Sequence, residues 1–176
     1  MKKNLFEIFQ KNAQKFFNLT SKEKFHYSYL LYNEIKKILK TIDYQSIGFV
    51  LPNNDHFYIF AVIDDLIKEN KNVLIYEENQ SNFAFNKITS IYDDSSIING
   101  IRQYKAKKYF NKIPEIIVVP IYFWKNKQGA TFSKKNNLFL SQLNSKKIGY
   151  CLYECETNFD KINEVKPITF DWLILI

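Results

Sequence analysis

The residues with the clearest potential for chemistry follow a short apolar run near the middle of the chain. Residues 116–121 are typical of a buried strand, and Ser133 predicts the start of a helix that runs to about Leu143. In many α/β enzymes such a strand–turn–helix unit carries a glycine-rich loop, which holds phosphate at the helix N-terminus. Here the polar turn between them, residues 125–135, contains one glycine, Gly129. The sequence therefore predicts the architecture of a phosphate site without its usual backbone chemistry.

Two lysines, Lys134 and Lys135, lie at the start of this predicted helix. A helix N-terminus favours negative charge, and a lysine ammonium binds an anion as a point charge. The two side chains are therefore candidates for a phosphate site. The alternative interpretation is that both are solvated surface lysines.

Three further residues lie where strands are predicted to end. His56 follows the apolar run 46–51 at a strand-to-helix turn, where ligands often bind in open α/β sheets. Phe123 and Trp124 follow residues 116–121, and aromatic side chains there could stack on a flat ring system. The alternatives are a residue that begins a helix for His56 and core packing for the two aromatic residues.

The elements that must position these residues alternate along the chain. Apolar periodicity and a Thr20–Glu23 capping box predict three helices before the one at Ser133, over residues 3–17, 20–40 and 56–69. Continuous apolar runs predict five strands, over residues 46–51, 72–76, 116–121, 147–152 and 171–176. Phe83, Phe85 and Ile88 indicate an antiparallel strand or hairpin, and a polar loop is expected through residues 93–96. We therefore expect a single α/β domain over residues 1–176, Rossmann-like, with a three-layer, mainly parallel sheet of about five strands flanked by helices.

The charge of the chain limits its partners. The formal net charge is +7, yet Arg102 is the only arginine among 25 basic residues. Because the planar guanidinium is the preferred group for recognising bases and phosphates, this composition argues against specific nucleic-acid binding. Lysines alone would still allow salt-sensitive, nonspecific binding. The cluster of lysines and tyrosines at residues 104–109 could bind nucleic acid or another anion, but a composition rich in lysine explains it better.

Other classes of protein are also disfavoured. No apolar stretch approaches the roughly 20 residues of a membrane span, and the N-terminus lacks the apolar segment of a signal peptide. A cytoplasmic location is therefore expected. Cys151 and Cys155 do not form a CxxC motif and have no neighbouring histidine, so two free thiols and no metal site are expected.

Six segments, taken in order, resemble one enzyme family. These segments are residues 19–24, 47–51, 99–103, 115–120, 147–151 and 171–174. In this order, they are similar to six segments of 5-formyltetrahydrofolate cyclo-ligase, also called methenyltetrahydrofolate synthetase. The first three resemble its Leu-Ser-x-x-Glu helix start, its first strand and its Phe-Gly-Ile-x-Glu-Pro segment. The last three resemble its strand that ends in Val-Pro, its Lys-Ile-Gly strand and its final Val-Asp strand. No single segment is specific, and the collinear order carries the resemblance.

The resemblance implies an ATP- and Mg²⁺-dependent reaction on a reduced folate. In that family the formyl oxygen of 5-formyltetrahydrofolate is phosphorylated and N10 closes the ring, which yields 5,10-methenyltetrahydrofolate, ADP and phosphate. The matching positions for the ATP phosphates are Lys2, Lys3, Lys134 and Lys135. The matching or neighbouring positions for the folate are His56, Gln103, Phe123 and Trp124.

The chain departs from the family at several of these positions. The family's glycine-rich loop falls on residues 128–138, where Ala130, Phe132 and Lys134 replace glycines and Asn137 replaces an acidic residue. A metal held by carboxylates is therefore not expected, and the resemblance identifies no catalytic residue. Three hypotheses follow: a diverged cyclo-ligase, an inactive descendant that binds a ligand or a protein, and, more weakly, a nonspecific nucleic-acid binder.

Overall fold

Eleven strands and four α-helices make up the described part of the protein. Its structure is a computed structural model that describes residues 5–52, 56–79, 82–91, 95–98, 101–104, 112–131, 133–158 and 165–176. The helices are α1 (Leu5–Phe17), α2 (Ser21–Leu39), α3 (Phe60–Lys68) and α4 (Lys134–Gln142). The strands are β1 (Ser46–Phe49), β2 (Asn72–Asn79), β3 (Asn82–Lys87), β4 (Ser95–Ile98), β5 (Ile101–Tyr104), β6 (Ile116–Pro120), β7 (Phe123–Lys125), β8 (Gln128–Ala130), β9 (Lys146–Cys151), β10 (Ile168–Thr169) and β11 (Trp172–Leu175).

The central sheet confirms the predicted mainly parallel α/β architecture. It contains six strands in the order β11-β9-β6-β1-β2-β3, and all neighbours are parallel except β2 and β3. Its five parallel strands are the five that the apolar runs predict. The sixth strand, β3, contains Phe83 and Phe85 and is antiparallel, as their spacing indicates.

Helices cover both faces of this sheet. Four residues stand side by side across neighbouring strands and share one face: Leu74, Gly48, Ile117 and Lys147. Side chains alternate along a strand, so Tyr76 lies on this face and Tyr150 lies on the opposite face. Tyr76 contacts α4 through Asn136, whereas Tyr150 packs against His56, which stacks on Phe16 of α1. The sheet is therefore the middle of three layers.

Two predicted segments need correction. The helix that was predicted to start at His56 begins at Phe60, because His56 and Phe57 are buried in the core and precede the helix. Part of the expected polar loop is a strand, since Ser95–Ile98 pairs with Ile101–Tyr104. The pairing is made by backbone N–H and C=O groups, which every residue type in this segment has. Residues 92–94 lie outside the described residues.

The polar turn after β6 is also more ordered than its composition suggests. β7 and β8 form a hairpin in which Lys125 pairs with Gln128. The two residues between them, Asn126 and Lys127, have φ angles of 51° and 57°. Positive φ at both positions is the geometry of a type I′ turn, which matches the twist of paired strands. β10 extends this hairpin into a small second sheet.

None of the helices in the described part of the chain has the length and apolar character that a membrane crossing requires.

Candidate functional site

A small pocket lies where the strand order of the central sheet changes direction. β2 lies on one side of β1, and the next parallel strand along the chain, β6, lies on its other side. In open α/β sheets ligands bind at this switch point, outside the carboxyl ends of the strands. The pocket there has a volume of about 160 Å³. It is lined by Val50, Leu51, Tyr76, Pro120, Tyr122, Thr131 and Asn136.

Tyr76 and Asn136 supply polar groups to this switch-point pocket. The Tyr76 hydroxyl donates a hydrogen bond of 2.8 Å to Oδ1 of Asn136. Burial is the main cause that raises the pKa of Tyr76 well above its ordinary value, and the carboxylate of Glu78 adds to it. The hydroxyl therefore remains a proton donor at neutral pH. The bond also orients the Asn136 amide, whose two N–H groups are donors that suit an oxygen-rich ligand.

A fully buried amide fixes the connection between β8 and α4. Oδ1 of Asn137 accepts hydrogen bonds from the Thr131 backbone N–H at 2.8 Å and from the Thr131 hydroxyl at 3.0 Å. Its Nδ2 donates to the Thr131 carbonyl oxygen at 3.1 Å. The predicted cap is confirmed, because Ser133 Oγ accepts from the Asn136 backbone N–H at 3.2 Å. These bonds hold Thr131 and Asn136 in place at the pocket.

The opposite wall of the pocket is tied to α1. Asn12, which is buried, donates through Nδ2 to the Tyr122 carbonyl oxygen at 2.7 Å. The ring of Phe9 meets the Tyr122 ring edge-on at 4.8 Å between centroids. Tyr122 also donates its backbone N–H to the Ala130 carbonyl oxygen at 3.1 Å. The first helix therefore supports Tyr122, a lining residue that lies 110 positions beyond Asn12 in the chain.

The predicted phosphate-binding lysines lie close to the pocket in sequence. Lys134 and Lys135 are exposed in the first turn of α4, directly before Asn136. Lys2 and Lys3 lie outside the described residues. All four assignments remain predictions.

His56 lies in the core rather than in the pocket lining. Its Nδ1 accepts from the Phe57 backbone N–H at 2.9 Å, and its Nε2 lies 3.3 Å from the Ile121 carbonyl oxygen. Its ring stacks on Phe16 at 4.1 Å between centroids. Burial lowers the pKa of His56 to about 3, so the ring is neutral. A direct folate contact by His56 would require this core to open, and the assignment remains a prediction.

The other predicted folate residues are also absent from the described pocket lining. Phe123 is fully buried. Trp124 is half-buried, and its indole N–H is 3.2 Å from the carbonyl oxygens of both Leu152 and Tyr153. Gln103 belongs to β5, but its side chain is outside the described part of the structure. No contact between these residues and a folate is tested, and their assignments remain predictions.

The residues that form the pocket were not identified by motif. Tyr76, Tyr122 and Thr131 each lie just beyond or at the end of an apolar run, and Asn136 follows the predicted cap at Ser133. The sequence signal that could have identified these pocket residues is a polar side chain at the end of a predicted strand. Motif comparison alone directed attention to the missing glycines.

The donor set of the pocket does not suit a protein-bound Mg²⁺. Mg²⁺ is usually held by carboxylates together with phosphate oxygens. The described lining has hydroxyl and amide groups and no carboxylate. Among the residues that the structure covers, no three histidine, cysteine, aspartate or glutamate side chains are close enough to hold a metal ion.

Comparison with solved structures identifies the fold. The NMR structure of 5,10-methenyltetrahydrofolate synthetase from Aquifex aeolicus superimposes with a TM-score of 0.76 over 97% of this chain and 89% of that chain, at 13% identity. The 5,10-methenyltetrahydrofolate synthetase from Mycoplasma pneumoniae gives a TM-score of 0.71 over 97% of both chains, at 15% identity. No protein-family model matches the chain, and no curated protein matches it significantly. The chain therefore has the fold of methenyltetrahydrofolate synthetases, at a sequence divergence that leaves its activity to be tested.

Proposed function

We propose that this chain is a cytoplasmic, single-domain enzyme that converts 5-formyltetrahydrofolate to 5,10-methenyltetrahydrofolate with consumption of ATP. The observation that carries the proposal is the switch-point pocket, which occurs in a fold shared over 97% of the chain with two methenyltetrahydrofolate synthetases. A shared fold alone does not define an activity, so the proposal depends on the chemistry of the residues at this pocket.

The lining residues suit the binding of an oxygen-rich ligand. Val50, Leu51 and Pro120 provide an apolar wall, while Tyr76 and Asn136 provide a hydroxyl and an amide. The pocket of about 160 Å³ is smaller than a typical ligand site of roughly 300–1,000 Å³. We therefore assign it to one end of a ligand, with the remainder lying along the carboxyl edge of the sheet.

Lysine charge and the α4 N-terminus would replace the glycine-rich loop. In phosphoryl transfer the protein acts mainly through positioning and charge stabilisation. Lys134 and Lys135 bring positive charge to a helix end whose dipole also favours anions. We assign them to the ATP phosphates, whose charge they would neutralise while the formyl oxygen is phosphorylated and N10 closes the ring.

Mg²⁺ has no place in the steps that we assign to this chain. Because the described pocket lining offers no carboxylate, the ion does not fit as a protein-bound ligand there. In a turnover assay Mg²⁺ is therefore a component of the ATP solution.

The first experiment is turnover of 5-formyltetrahydrofolate with ATP and Mg²⁺, followed through the absorbance of the methenyl product. The proposal predicts product above a no-protein control. Tyr76→Phe, which removes the hydroxyl bonded to Asn136, should lower kcat/KM about 10-fold, since one such interaction contributes about 1–1.5 kcal/mol. Tyr58→Phe is the matched control, because Tyr58 is exposed and lies outside the pocket lining.

The lysines are tested by a second matched pair. The double variant Lys134→Ala, Lys135→Ala should raise the KM for ATP several-fold. Lys146→Ala should leave it unchanged, because Lys146 is exposed at the amino end of β9, on the opposite edge of the sheet. Absence of product from folded wild-type protein would overturn the proposed activity and leave the inactive, ligand- or protein-binding descendant as the explanation of the fold.

A further inference from the structure

An aromatic groove lies between α2 and α3. Its volume is about 480 Å³, within the range of roughly 300–1,000 Å³ that is typical of small-molecule sites. The groove shares no lining residue with the switch-point pocket, so a molecule bound here takes no part in the proposed turnover. It is lined by Phe25, Ser28, Tyr29, Tyr32, Tyr58, Ala61 and Asp65.

Aromatic rings form most of the walls of this groove. Phe25, Tyr29 and Tyr32 are spaced by four and three residues along α2, so they share one side of the helix. Tyr58 comes from the segment before α3. Phe25, Tyr29 and Tyr58 are 72%, 59% and 52% exposed. Within the described residues the four rings form no stacked or edge-on pair, in contrast to Tyr27 on the core side of α2, so their faces are open to a ligand.

Hydrogen bonds join the two sides of the groove. The Ser28 hydroxyl of α2 accepts from the Tyr58 backbone N–H at 2.8 Å and donates to the Lys24 carbonyl oxygen at 2.6 Å. The Tyr32 hydroxyl of α2 donates to Oδ2 of Asp65 in α3. The groove is therefore formed before a ligand binds, which lowers the cost of binding.

The charge in the groove is negative. Asp65 is the one charged side chain among the described lining residues. In the part of the chain that the structure describes, its carboxylate makes no ion pair, whereas Asp64 pairs with Lys68 at 2.6 Å and Glu69 pairs with Lys36. The faces of aromatic rings also carry partial negative charge. On a chain with a net charge of +7, this groove is a place where a cation is attracted.

The lining favours a methylated ammonium group over a primary one. A primary ammonium has three N–H donors and is strongly hydrated, so it requires several acceptors when it leaves water. The Ser28 hydroxyl already accepts from Tyr58, and the Asp65 carboxylate already accepts from Tyr32. A trimethylammonium group has no N–H and presents methyl groups, which suits aromatic walls beside one carboxylate.

We propose that the aromatic groove binds a small soluble cation with a quaternary, methylated ammonium group. The ammonium lies against the rings of Phe25, Tyr29 and Tyr58, at the end of the groove that Asp65 occupies.

The test titrates choline into the isotope-labelled whole chain at constant ionic strength and follows the backbone amide signals by NMR. The proposal predicts saturable shifts centred on Ala61 and Asp65. Dimethylbutanol, the neutral isostere in which carbon replaces the nitrogen of choline, should bind roughly 10-fold more weakly, because it has the same shape without the charge. Ethanolamine, a primary ammonium, should also bind more weakly than choline.

Two matched pairs of variants assign the binding to the groove. Asp65→Asn keeps the shape of the side chain and removes its charge, so it should weaken choline binding about 5-fold. Asp64→Asn, at the adjacent residue outside the lining, should leave the affinity unchanged. Tyr29→Leu should weaken binding about 3-fold, and Tyr153→Leu, which alters an exposed ring outside the groove, should not.

Four results would overturn the proposal. Equal affinity for choline and dimethylbutanol would show a groove that selects apolar shape alone. The others are the absence of a saturable shift with choline, unchanged choline affinity in folded Asp65→Asn protein, and sedimentation with phosphatidylcholine vesicles without binding of free choline. The comparison of choline with its isostere uses the wild-type chain and no activity assay, so it depends neither on the folding of a variant nor on whether the chain is a cyclo-ligase.

Discussion

Asn137 occupies a position at which the resembled cyclo-ligase family has an acidic residue, and its surroundings require an amide. The side chain is fully buried and both accepts from and donates to the Thr131 backbone. An aspartate would lose the Nδ2 donor and place a carboxylate oxygen against the Thr131 carbonyl. Asn137→Asp should therefore lower the free energy of unfolding by about 2–4 kcal/mol at pH 7. Urea denaturation followed by circular dichroism measures this change.

The matched control for this substitution is Asn144→Asp. Asn144 is exposed in the connection between α4 and β9, so the same change of charge should alter stability by less than about 0.5 kcal/mol. Equal stability of the Asn137→Asp protein and the wild type would show that the amide is not needed, and that the position can still carry an acid.

His56 predicts a specific loss of stability in acid. Its pKa is lowered from 6.5 to about 3 by burial in the folded protein. Above pH 6.5 neither state binds the proton. Between pH 6.5 and 3 the unfolded chain binds one proton more, so the free energy of unfolding falls by up to about 1.36 kcal/mol per pH unit as the pH falls.

The His56 effect is isolated by comparison with His56→Gln. Glutamine can still donate to a carbonyl oxygen but does not titrate, so the variant should be less stable at pH 7 and less sensitive to acid. The difference in stability between the two proteins should narrow from pH 7 to pH 4 in urea titrations. Parallel curves over that range would mean that His56 is protonated normally in the folded state. Carboxylates contribute equally to both proteins and cancel.

At the scale of elements, the hairpin of β7 and β8 contains an avoidable strain. Lys127 has a φ of 57° at the second position of the type I′ turn, a conformation that glycine adopts without steric cost. Lys127→Gly creates the Asn-Gly sequence that such turns prefer. It should raise the free energy of unfolding by about 0.5–1 kcal/mol and the melting temperature by roughly 2 °C.

Lys125→Gly tests whether this gain belongs to the turn. Lys125 lies in β7 and pairs with Gln128, so glycine there adds backbone entropy to the unfolded chain without relieving strain. The expected change is a loss of about 0.5–1 kcal/mol. If calorimetry gave the same sign for both substitutions, the positive φ at Lys127 would not be the cause.

At the scale of the whole molecule, the sequence predicts those strands and helix caps that depend only on neighbouring residues. Apolar runs marked the five parallel strands, and the Thr20–Glu23 capping box is present, with the Glu23 N–H 3.2 Å from the Thr20 hydroxyl. The cap at Ser133 is present as well. In each case a few neighbouring residues contain the whole signal, because the hydrogen bond or the buried face is local.

The missed parts depend on contacts between distant segments. β7 and β8 are three residues long, too short for periodicity, and β8 is completed by β10, almost forty residues later. The pocket likewise joins Tyr76, Tyr122 and Asn136, which no local pattern connects. The packing of His56 against Phe16 in the core likewise joins two segments that no local pattern connects. The chain topology therefore determines which residues form the pocket, whereas local sequence determines where the helices and the central strands form.

Ligand binding should be visible as a change in the stability of the whole chain. If ATP binds the folded state alone, it stabilises the protein by RT ln(1 + [L]/Kd), about 2.7 kcal/mol at one hundred times Kd. For a chain of 176 residues this corresponds to a rise in melting temperature of roughly 5–10 °C. Differential scanning fluorimetry with ATP, 5-formyltetrahydrofolate or both measures this rise. The Lys134→Ala, Lys135→Ala protein should lose most of the ATP shift while keeping the folate shift.

A shift with the folate alone would assign the pocket to a folate binder without ATP chemistry. No shift with either ligand would argue against both, and retention of RNA at low salt, lost at high salt, would then favour the electrostatic binding that a net charge of +7 allows.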